Sequence, residues 1–537
     1  MNQSELLKRY PNEFIEEVKK NEKIVTRFPP EPNGHLHLGH IKAMEVDFGF
    51  VEDMKKNGID GECIMRFDDT NPSVEKQEYI DSILENVAWL NHKPSKITYT
   101  SDYFDKLYEY ALILIRQGDA YVCELKSEQI SEYREKGIES PYRNRKPEES
   151  LKLFEEMKRG LHDENAMTLR MKGDLSSPNP CLWDLVFYRI LFKRHPRTDN
   201  KWCIYPSYDF SHCIVDSIEN ITHSLCTIEF ETRRESYFWV LDKLNLRKPF
   251  VYEFSRLNIV NGILSKRKIV ELVDTKKVSG WDDPRLLTIN GLKKRGYTAE
   301  SLKQFCRNTG ITKNYSEIPM YKLEYCIRQE LEINAPRRYV VLDPLLVKIN
   351  NLELFKGTLE YTLYDFPIYM KTVLEGKSNE NIADDKKKIR KIELTPEIYI
   401  DKSSFRINDS KDFYGLAPNK IIRLKCGNGP FLKCNSYKLD ENNNVVEVTV
   451  DIVEPEFPKK VKGILNWVNN KALPIIIQEF DDLNMKTYVA LGEESLDDCD
   501  VGTKYQFERY GYFCVDNKME NKIIFNKIVS LNSNYSG

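Results

Sequence analysis

The spacing of apolar residues changes period twice in the first seventy positions. Ile24-Val25-Thr26-Arg27-Phe28 is β-branched and apolar and predicts a strand, followed by the stiff loop Pro29-Pro30-Glu31-Pro32-Asn33-Gly34. From Gly39 onward Ile41, Met44, Phe48 and Val51 fall at helical spacing, and residues 62–67 predict a second strand ending at Asp68-Asp69. Asn71 and Pro72 suit the cap and first turn of a further helix, with Tyr79, Ile80, Ile83, Val87 and Leu90 along one face. Strand, helix, strand, helix is how a doubly wound parallel sheet begins. Ligands of such sheets sit beyond the carboxyl ends of the strands, where 29–40 and 68–71 both fall.

The pattern loosens over 103–199, where helices, short strands and polar loops mix as in an insertion. Strand and loop resume at Lys201-Trp202-Cys203-Ile204-Tyr205 and continue through 221–230. Residues 257–335 read as mostly helical. After Asn334-Ala335-Pro336-Arg337 the period falls to two: Val446, Val448, Val450 and Ile452 alternate with Glu447, Thr449 and Asp451. Tyr505 to Val515 and Ile523 to Val529 carry this to the end, so the last 200 or so residues predict an all-β region, enough for two barrels.

Composition narrows the class. At about 100–200 residues per domain, 537 residues suit three to five domains. With 41% hydrophobic and 30% charged residues, the chain is neither disordered nor fibrous. It holds no apolar run of about 18 residues, and its first ten residues lack the apolar core of a signal peptide, so a cytoplasmic protein with no membrane partner is expected. The net charge of −3 does not announce a polyanion ligand, but a basic face can be cancelled by an acidic back. The twelve cysteines show no CxxC pair, which suits reduced thiols and gives no metal site. The dense basic run at 386–391 reads more readily as a solvated loop than as a binding site.

His37-Leu38-Gly39-His40 opens a helix after a strand. Gly39 permits close approach of a nucleotide to the backbone, and two imidazoles beside a helix N-terminus can donate to phosphate oxygens. Alone, two histidines near a turn read equally well as incidental. Leu264-Ser265-Lys266-Arg267-Lys268 supplies a hydroxyl and an ammonium suited to the charge on a departing pyrophosphate, although a short basic run is by itself more often a solvated loop.

Together these segments resemble the HIGH and KMSKS pair of the class I aminoacyl-tRNA synthetases. Arg66-Phe67-Asp68-Asp69-Thr70-Asn71-Pro72, residues 205–212, Thr222-His223-Ser224-Leu225-Cys226-Thr227 and Gly280-Trp281-Asp282-Asp283-Pro284-Arg285 resemble the glutaminyl-tRNA synthetases of the glutamyl/glutaminyl subgroup. The likeness runs in order from about residue 11 to about 530. It implies an α/β protein: a lead-in helix within 1–25, a Rossmann-type catalytic domain in two halves (26–102 and 200–256), an inserted acceptor-stem-binding domain at 103–199, a helical subdomain with the KMSKS-like loop at 257–338, and two anticodon-binding β-barrels at 339–537.

The resemblance also implies roles. Glu31, Pro32, Asn33, His37, Gly39, His40, Thr227, Arg256, Leu257, Ser265 and Lys266 would bind ATP, with His37, His40 and Lys266 stabilising charge during displacement of pyrophosphate. Arg27 would pair with the α-carboxylate of the amino acid, Asp68 with its ammonium, and Tyr208 and Cys226 would meet the side chain. Arg337, Arg423 and Gln506 would contact anticodon bases. ATP, L-glutamine and tRNA(Gln) are the expected substrates and partners, Mg2+ the expected companion of the triphosphate, and a monomer the expected state.

The main competitor within the subgroup is a glutamyl-tRNA synthetase, discriminating or not. Relatives that use glutamate usually carry Arg at the place of Cys226, and a neutral thiol leaves a buried carboxylate unpaired. A cation filling the space around Tyr208 and Cys226 would contradict the glutamine reading. A non-catalytic tRNA-binding protein is the remote alternative, disfavoured by intact His37, His40, Ser265 and Lys266. Pro141-Tyr142-Arg143 lies in the segment that matches the acceptor-end domain. Two positions depart from relatives: Thr232 stands where bacterial members carry an acid, and Gly415 where many carry Arg. Only about 25 residues precede the first strand, so an appended tRNA-binding arm is not expected.

Overall fold

The computed structural model describes residues 9–454, 461, 463–520 and 522–532. Its contacts divide the chain into two units, Met1–Lys268 with Leu302–Pro319, and Ile269–Ser301 with Met320–Gly537. The first eight residues of the expected lead-in helix lie outside the described residues. Helix α1 (Asn12–Val18) follows them and buries Phe14 and Val18.

In the first unit, β1 (Ile24–Phe28), α2 (Leu38–Lys56), β2 (Gly61–Phe67), α3 (Gln77–Trp89) and β3 (Lys96–Tyr99) alternate, with the three strands parallel in the order β1-β2-β3. Every residue of β1 is buried, as expected of a strand covered on both faces. Helix α3 starts later than the sequence suggests. Asn71 and Pro72 belong to a turn in which the Asn71 N–H donates to the Glu75 carboxylate (2.5 Å) and the Val74 N–H to the Asn71 carbonyl, while the Lys76 N–H donates to Pro32 of the loop after β1.

Next come α4 (Phe104–Gln117), β4 (Ala120–Cys123), α5 (Ser127–Glu135), α6 (Pro147–Lys158), β5 (Thr168–Met171), β6 (Val186–Ile190) and β7 (Ile204–Pro206). The four strands form an antiparallel sheet in chain order, so its last strand lies beyond residue 199. Phe104, Leu107, Ala111, Phe154, Leu169 and Phe187 share one core with Phe210, Ile214 and Leu241 from the elements that follow. Those elements are α7 (Tyr208–Ile218), β8 (His223–Thr227), α8 (Arg234–Lys243) and β9 (Phe250–Phe254), with β8 and β9 parallel. Beside the last residue before β8, the Val25 N–H donates to Thr222 Oγ1 (2.8 Å) and the Thr222 N–H to the Val25 carbonyl. The chain thus leaves β1 on one side for β2 and returns on the other as β8, which makes the β1/β8 junction the point where strand order reverses.

The second unit holds two seven-stranded sheets. One is centred on Phe431–Leu439, Val445–Val453 and Pro344–Ile349, around a core that includes Trp467, Val448, Val450 and Leu432. The other runs from Arg337–Arg338 through Lys504–Phe507, Gly511–Met519, Lys522–Val529, Leu473–Asp481 and Asn484–Gly492 to Val340–Val341, closing over Phe507, Phe513 and Phe525. The region is not entirely β. A helix, Pro367–Leu374, interrupts it, with Ile368, Met370, Val373 and Leu374 on its surface and no buried residue, so no amphipathic stripe announces it. The basic run at 386–391 is neutralised locally: Lys387 by Asp384, Arg390 by Asp365 and Glu493, and Lys391 by Glu360. No helix among the described residues is long and apolar enough to cross a membrane.

Candidate active site

The carboxyl ends of β1, β2 and β8 bring together segments that are far apart in the chain. Helix α2 opens on a reciprocal cap: the Gly39 N–H donates to His37 Nδ1 (3.1 Å) and the His37 N–H donates to His40 Nδ1 (3.1 Å). Each ring therefore accepts at Nδ1, which leaves its proton on Nε2. Burial, aided by nearby Arg256, pulls the His37 pKa down to about 4, and burial with His37 beside it holds His40 well below the usual imidazole range. Both are thus neutral Nε2–H donors at a helix start whose first turn has no acidic residue, an arrangement fitted to an anion. A Cβ at Gly39 would fall 2.9 Å from His37 Cε1, so glycine is needed for the rings to sit this way.

Helix α9 (Lys266–Asp274) begins at the second motif. Lys266 Nζ reaches the Asn33 carbonyl and Asn33 Oδ1, the latter at 2.8 Å, and its Cε would lie 2.7 Å from a Cβ at Gly34. The Asn33 amide donates to Glu31. Burial lowers the Lys266 pKa, with Glu31 opposing. Arg256 pairs with Glu229 (2.6 Å), a partner the sequence reading missed, and Leu257 is buried beside it. Thr227 ends β8, and Ser265 is exposed in the loop before α9.

At the end of β2, Asp68 is buried, and its Oδ1 has no hydrogen-bond partner among the described residues. Burial, with Glu31 nearby, raises its pKa to about 6. An unpartnered carboxylate oxygen in a cleft suits an ammonium ligand. Behind it burial raises Asp69 to about 7 and Glu75 to about 8.

Tyr208, Cys226, Ser224, His212, Phe230 and Arg233 line one cavity. The Tyr208 ring packs on His212 and Phe230, and its hydroxyl has no hydrogen-bond partner among the described residues. One cation does reach this space: Arg27 Nη2 lies 3.3 Å from Cys226 Sγ. It brings no net charge. The fully buried Arg27 donates from Nε to Asp216 (3.0 Å), from Nη1 to the Leu225 carbonyl and from Nη2 to Ser224. Arg66 joins the same Asp216 and reaches Glu219 at 2.7 Å, so two guanidiniums face two carboxylates. Burial works against the Asp216 charge, but Arg27, His212 and Arg66 hold its pKa well below the usual range. His212, drawn down to about 4 chiefly by burial, is neutral, and burial raises the Cys226 thiol so that it too is neutral. The two other cations on the wall are likewise paired, Arg233 with Asp209 and Arg234 with Glu253. The sequence reading missed Asp216; its place four residues after His212, on one helix face, was the available signal.

In the second unit the Arg337 Nε donates to Gln506 Oε1 (2.8 Å), which joins two of the three expected anticodon residues. Arg423 lies on its own strand, and Lys425, just past the end of that strand, pairs with Glu508. Gly415 cannot be replaced by a longer residue here, because a Cβ would fall 2.3 Å from the Ser404 carbonyl oxygen. Arg143 is held by Asp184 (2.9 Å), and the Thr232 carbonyl accepts from Asn179 (2.8 Å).

Comparison with known proteins matches the description tRNA synthetases class I (E and Q), catalytic domain, over residues 23–333, and the anti-codon binding domains of the same group over 335–453 and 464–516. The chain is 46% identical to a glutamine–tRNA ligase of Lupinus luteus, an alignment that covers 96% of this chain and 66% of the relative. It is also 46% identical to a probable glutamine–tRNA ligase of Dictyostelium discoideum (95% and 66% covered). With a glutamine–tRNA ligase of Escherichia coli O157:H7 the identity is 41%, covering 98% of both chains. The chain thus spans about two thirds of the length of the plant and slime-mould relatives.

Proposed function

Because the chain belongs to the class I tRNA synthetases of the E and Q group, we propose that it is a glutamine–tRNA ligase, which activates L-glutamine with ATP and transfers it to the terminal adenosine of tRNA(Gln). The observation that carries the choice of glutamine is the charge balance of the cavity, where every guanidinium has its own carboxylate and Cys226 is neutral. A glutamate side chain entering such a cavity would be desolvated without a counter-charge. An amide needs one donor and one acceptor, and the Tyr208 hydroxyl offers both.

In the first step the glutamine carboxylate attacks the α-phosphate of ATP and pyrophosphate leaves. No protein nucleophile is required, and catalysis rests on position and charge. His37 and His40 donate Nε2–H bonds to the phosphates, Lys266 turns from Asn33 to the departing pyrophosphate, and Thr227, Arg256 and Leu257 hold the adenosine. Asp68 takes the ammonium. Arg27 meets the carboxylate once the amino acid displaces its bonds to Ser224 and Cys226. Magnesium enters as part of the nucleotide substrate, balancing its phosphates. In the second step a ribose hydroxyl of the tRNA attacks the mixed anhydride. The 103–199 region takes the acceptor end and Arg337, Arg423 and Gln506 the anticodon, in a protein we assign to the cytosol as a monomer.

The test is aminoacylation of purified tRNA(Gln) and tRNA(Glu), each offered both amino acids. Glutamine on tRNA(Gln) alone is the expected product. Glutamate on either tRNA makes the chain a glutamyl enzyme, and no charging at all makes it a tRNA-binding protein.

A further inference from the structure

A 3-10 turn, Ile228–Arg233, joins β8 to α8 and buries none of its residues. It is held instead by a series of contacts with its surroundings. Glu229 Oε1 accepts from Arg256 Nε (2.6 Å) and from Arg256 Nη2. Phe230 packs on the Tyr208 ring, the centroids 5.2 Å apart. Glu231 pairs with Lys313 (2.9 Å), the Thr232 carbonyl accepts from Asn179 (2.8 Å), and Arg233 pairs with Asp209. Two neighbours in sequence thus serve two different places: Phe230 is a wall of the amino acid cavity, and Glu229 holds the arginine beside His37.

The Glu229–Arg256 pair is too exposed to matter for stability. The two side chains are 34% and 61% exposed, and ion pairs in such a setting contribute little. What the pair does is fix a long side chain. An arginine loses much rotamer freedom when it closes on a ligand, and one already held at Nε and Nη2 has less left to lose. Its Nη1 has no partner among the described residues and stays free to meet a ligand.

We propose that Glu229 is a positioning residue for the nucleotide, a role that rests on the assignment of Arg256 to ATP made above: it holds Arg256 ready for the adenosine, from a turn that the amino acid cavity steadies through Phe230. The two substrate sites then share one support. Loosening the turn at Phe230 reaches ATP only through Glu229 and Arg256.

ATP binding to the full chain, followed by calorimetry, tests this. Glu229→Gln keeps the size of the side chain and removes the charge that holds Arg256. It should weaken ATP about 3–10-fold, with a melting temperature within about 2 °C of the parent's. Glu231→Gln takes a carboxylate from the same turn and should bind ATP as the parent does. Phe230→Leu should weaken ATP about twofold to threefold in the parent and not at all in the Glu229→Gln background. In charging assays Glu229→Gln should raise the KM for ATP, while the KM for the amino acid and kcat stay within about twofold, because Arg256 acts on the adenosine and not on the reacting phosphate. The proposal is overturned by ATP binding in Glu229→Gln that equals the parent's, or that is tighter, as for a carboxylate that merely sequesters the arginine. An equal loss in Glu231→Gln overturns it too, as does a Phe230→Leu effect that is absent from the parent or persists in full in the Glu229→Gln background. Charging with glutamate instead of glutamine would fail the functional reading alone, since ATP is the only ligand the binding test needs.

Discussion

Lys266 Nζ donates to Asn33 Oδ1 over 2.8 Å, across 233 residues of chain. The lysine rests on the loop that follows the first strand, so the two segments proposed to grip the nucleotide are already joined. Lys266→Met keeps most of the stem and removes the charge. We expect its glutamine-dependent pyrophosphate exchange, measured with tRNA present, to fall about 10²–10³-fold in kcat, the usual effect of losing one donor to a transition-state charge. A kcat within threefold of the parent would remove Lys266 from the chemistry.

That convergence was legible in the sequence because both motifs are short, local and tied to the ends of regular elements. The parallel strands and the β character of the last 200 residues were legible for the same reason, as periods of 3.6 and 2 survive in a single chain. What was not legible is pairing across the chain. Asp216 is one aspartate in an ordinary amphipathic helix, and nothing local shows that it joins Arg27 and Arg66, each from a different strand. The start of α3 was misplaced for a similar reason: Asn71-Pro72 has the residues of a helix start, but Glu75 takes the Asn71 N–H and holds a turn instead.

Glu75 gives a pH test. Burial lifts its pKa to about 8, with Asp69 and Asp68 adding to the effect against the Asn71 N–H bond. The folded protein keeps a proton there that the unfolded chain gives up above about pH 4.3. The stabilisation is fully present below that pH and is lost as pH rises through 8. Glu75→Gln retains an acceptor for Asn71 and cannot ionise, so it should gain on the parent as pH rises from 5 to 8.5, by at most about 1.4 kcal/mol per pH unit. Urea midpoints of the two proteins read this directly, and parallel pH curves would count against it.

Gln506→Glu tests the expected anticodon surface. Its amide oxygen already accepts from Arg337 at 2.8 Å, so a carboxylate there would keep the guanidinium in an ion pair. The KM for tRNA should rise roughly tenfold and its salt dependence should weaken, with kcat nearly unchanged, because one cation is withdrawn from the polyanion and nothing near the reacting atoms is altered. Charging kinetics at two ionic strengths supply the measurement, and an unaltered KM would place the RNA elsewhere.

The proposed preference for glutamine over glutamate turns on Asp216, which receives Arg27 at 3.0 Å, Arg66, Ser224 at 2.8 Å and Tyr237 at 2.9 Å. Asp216→Asn keeps the shape and an acceptor while removing one negative charge. Arg27 and Arg66 are then balanced by Glu219 alone, and the uncompensated cation lies beside Cys226. Stability should drop by about 3–5 kcal/mol, the usual effect of breaking a buried ion pair from one side. The ratio of kcat/KM for glutamine over glutamate should also fall, by about tenfold or more, because a glutamate carboxylate now meets a counter-charge. Cys226→Arg approaches the same end by adding a cation instead of removing an anion, and should shift the ratio in the same direction. Both amino acids are assayed on one preparation, so the ratio does not depend on how much of the variant folds. A ratio equal to the parent's in both variants would show that the neutrality of the cavity does not select the substrate.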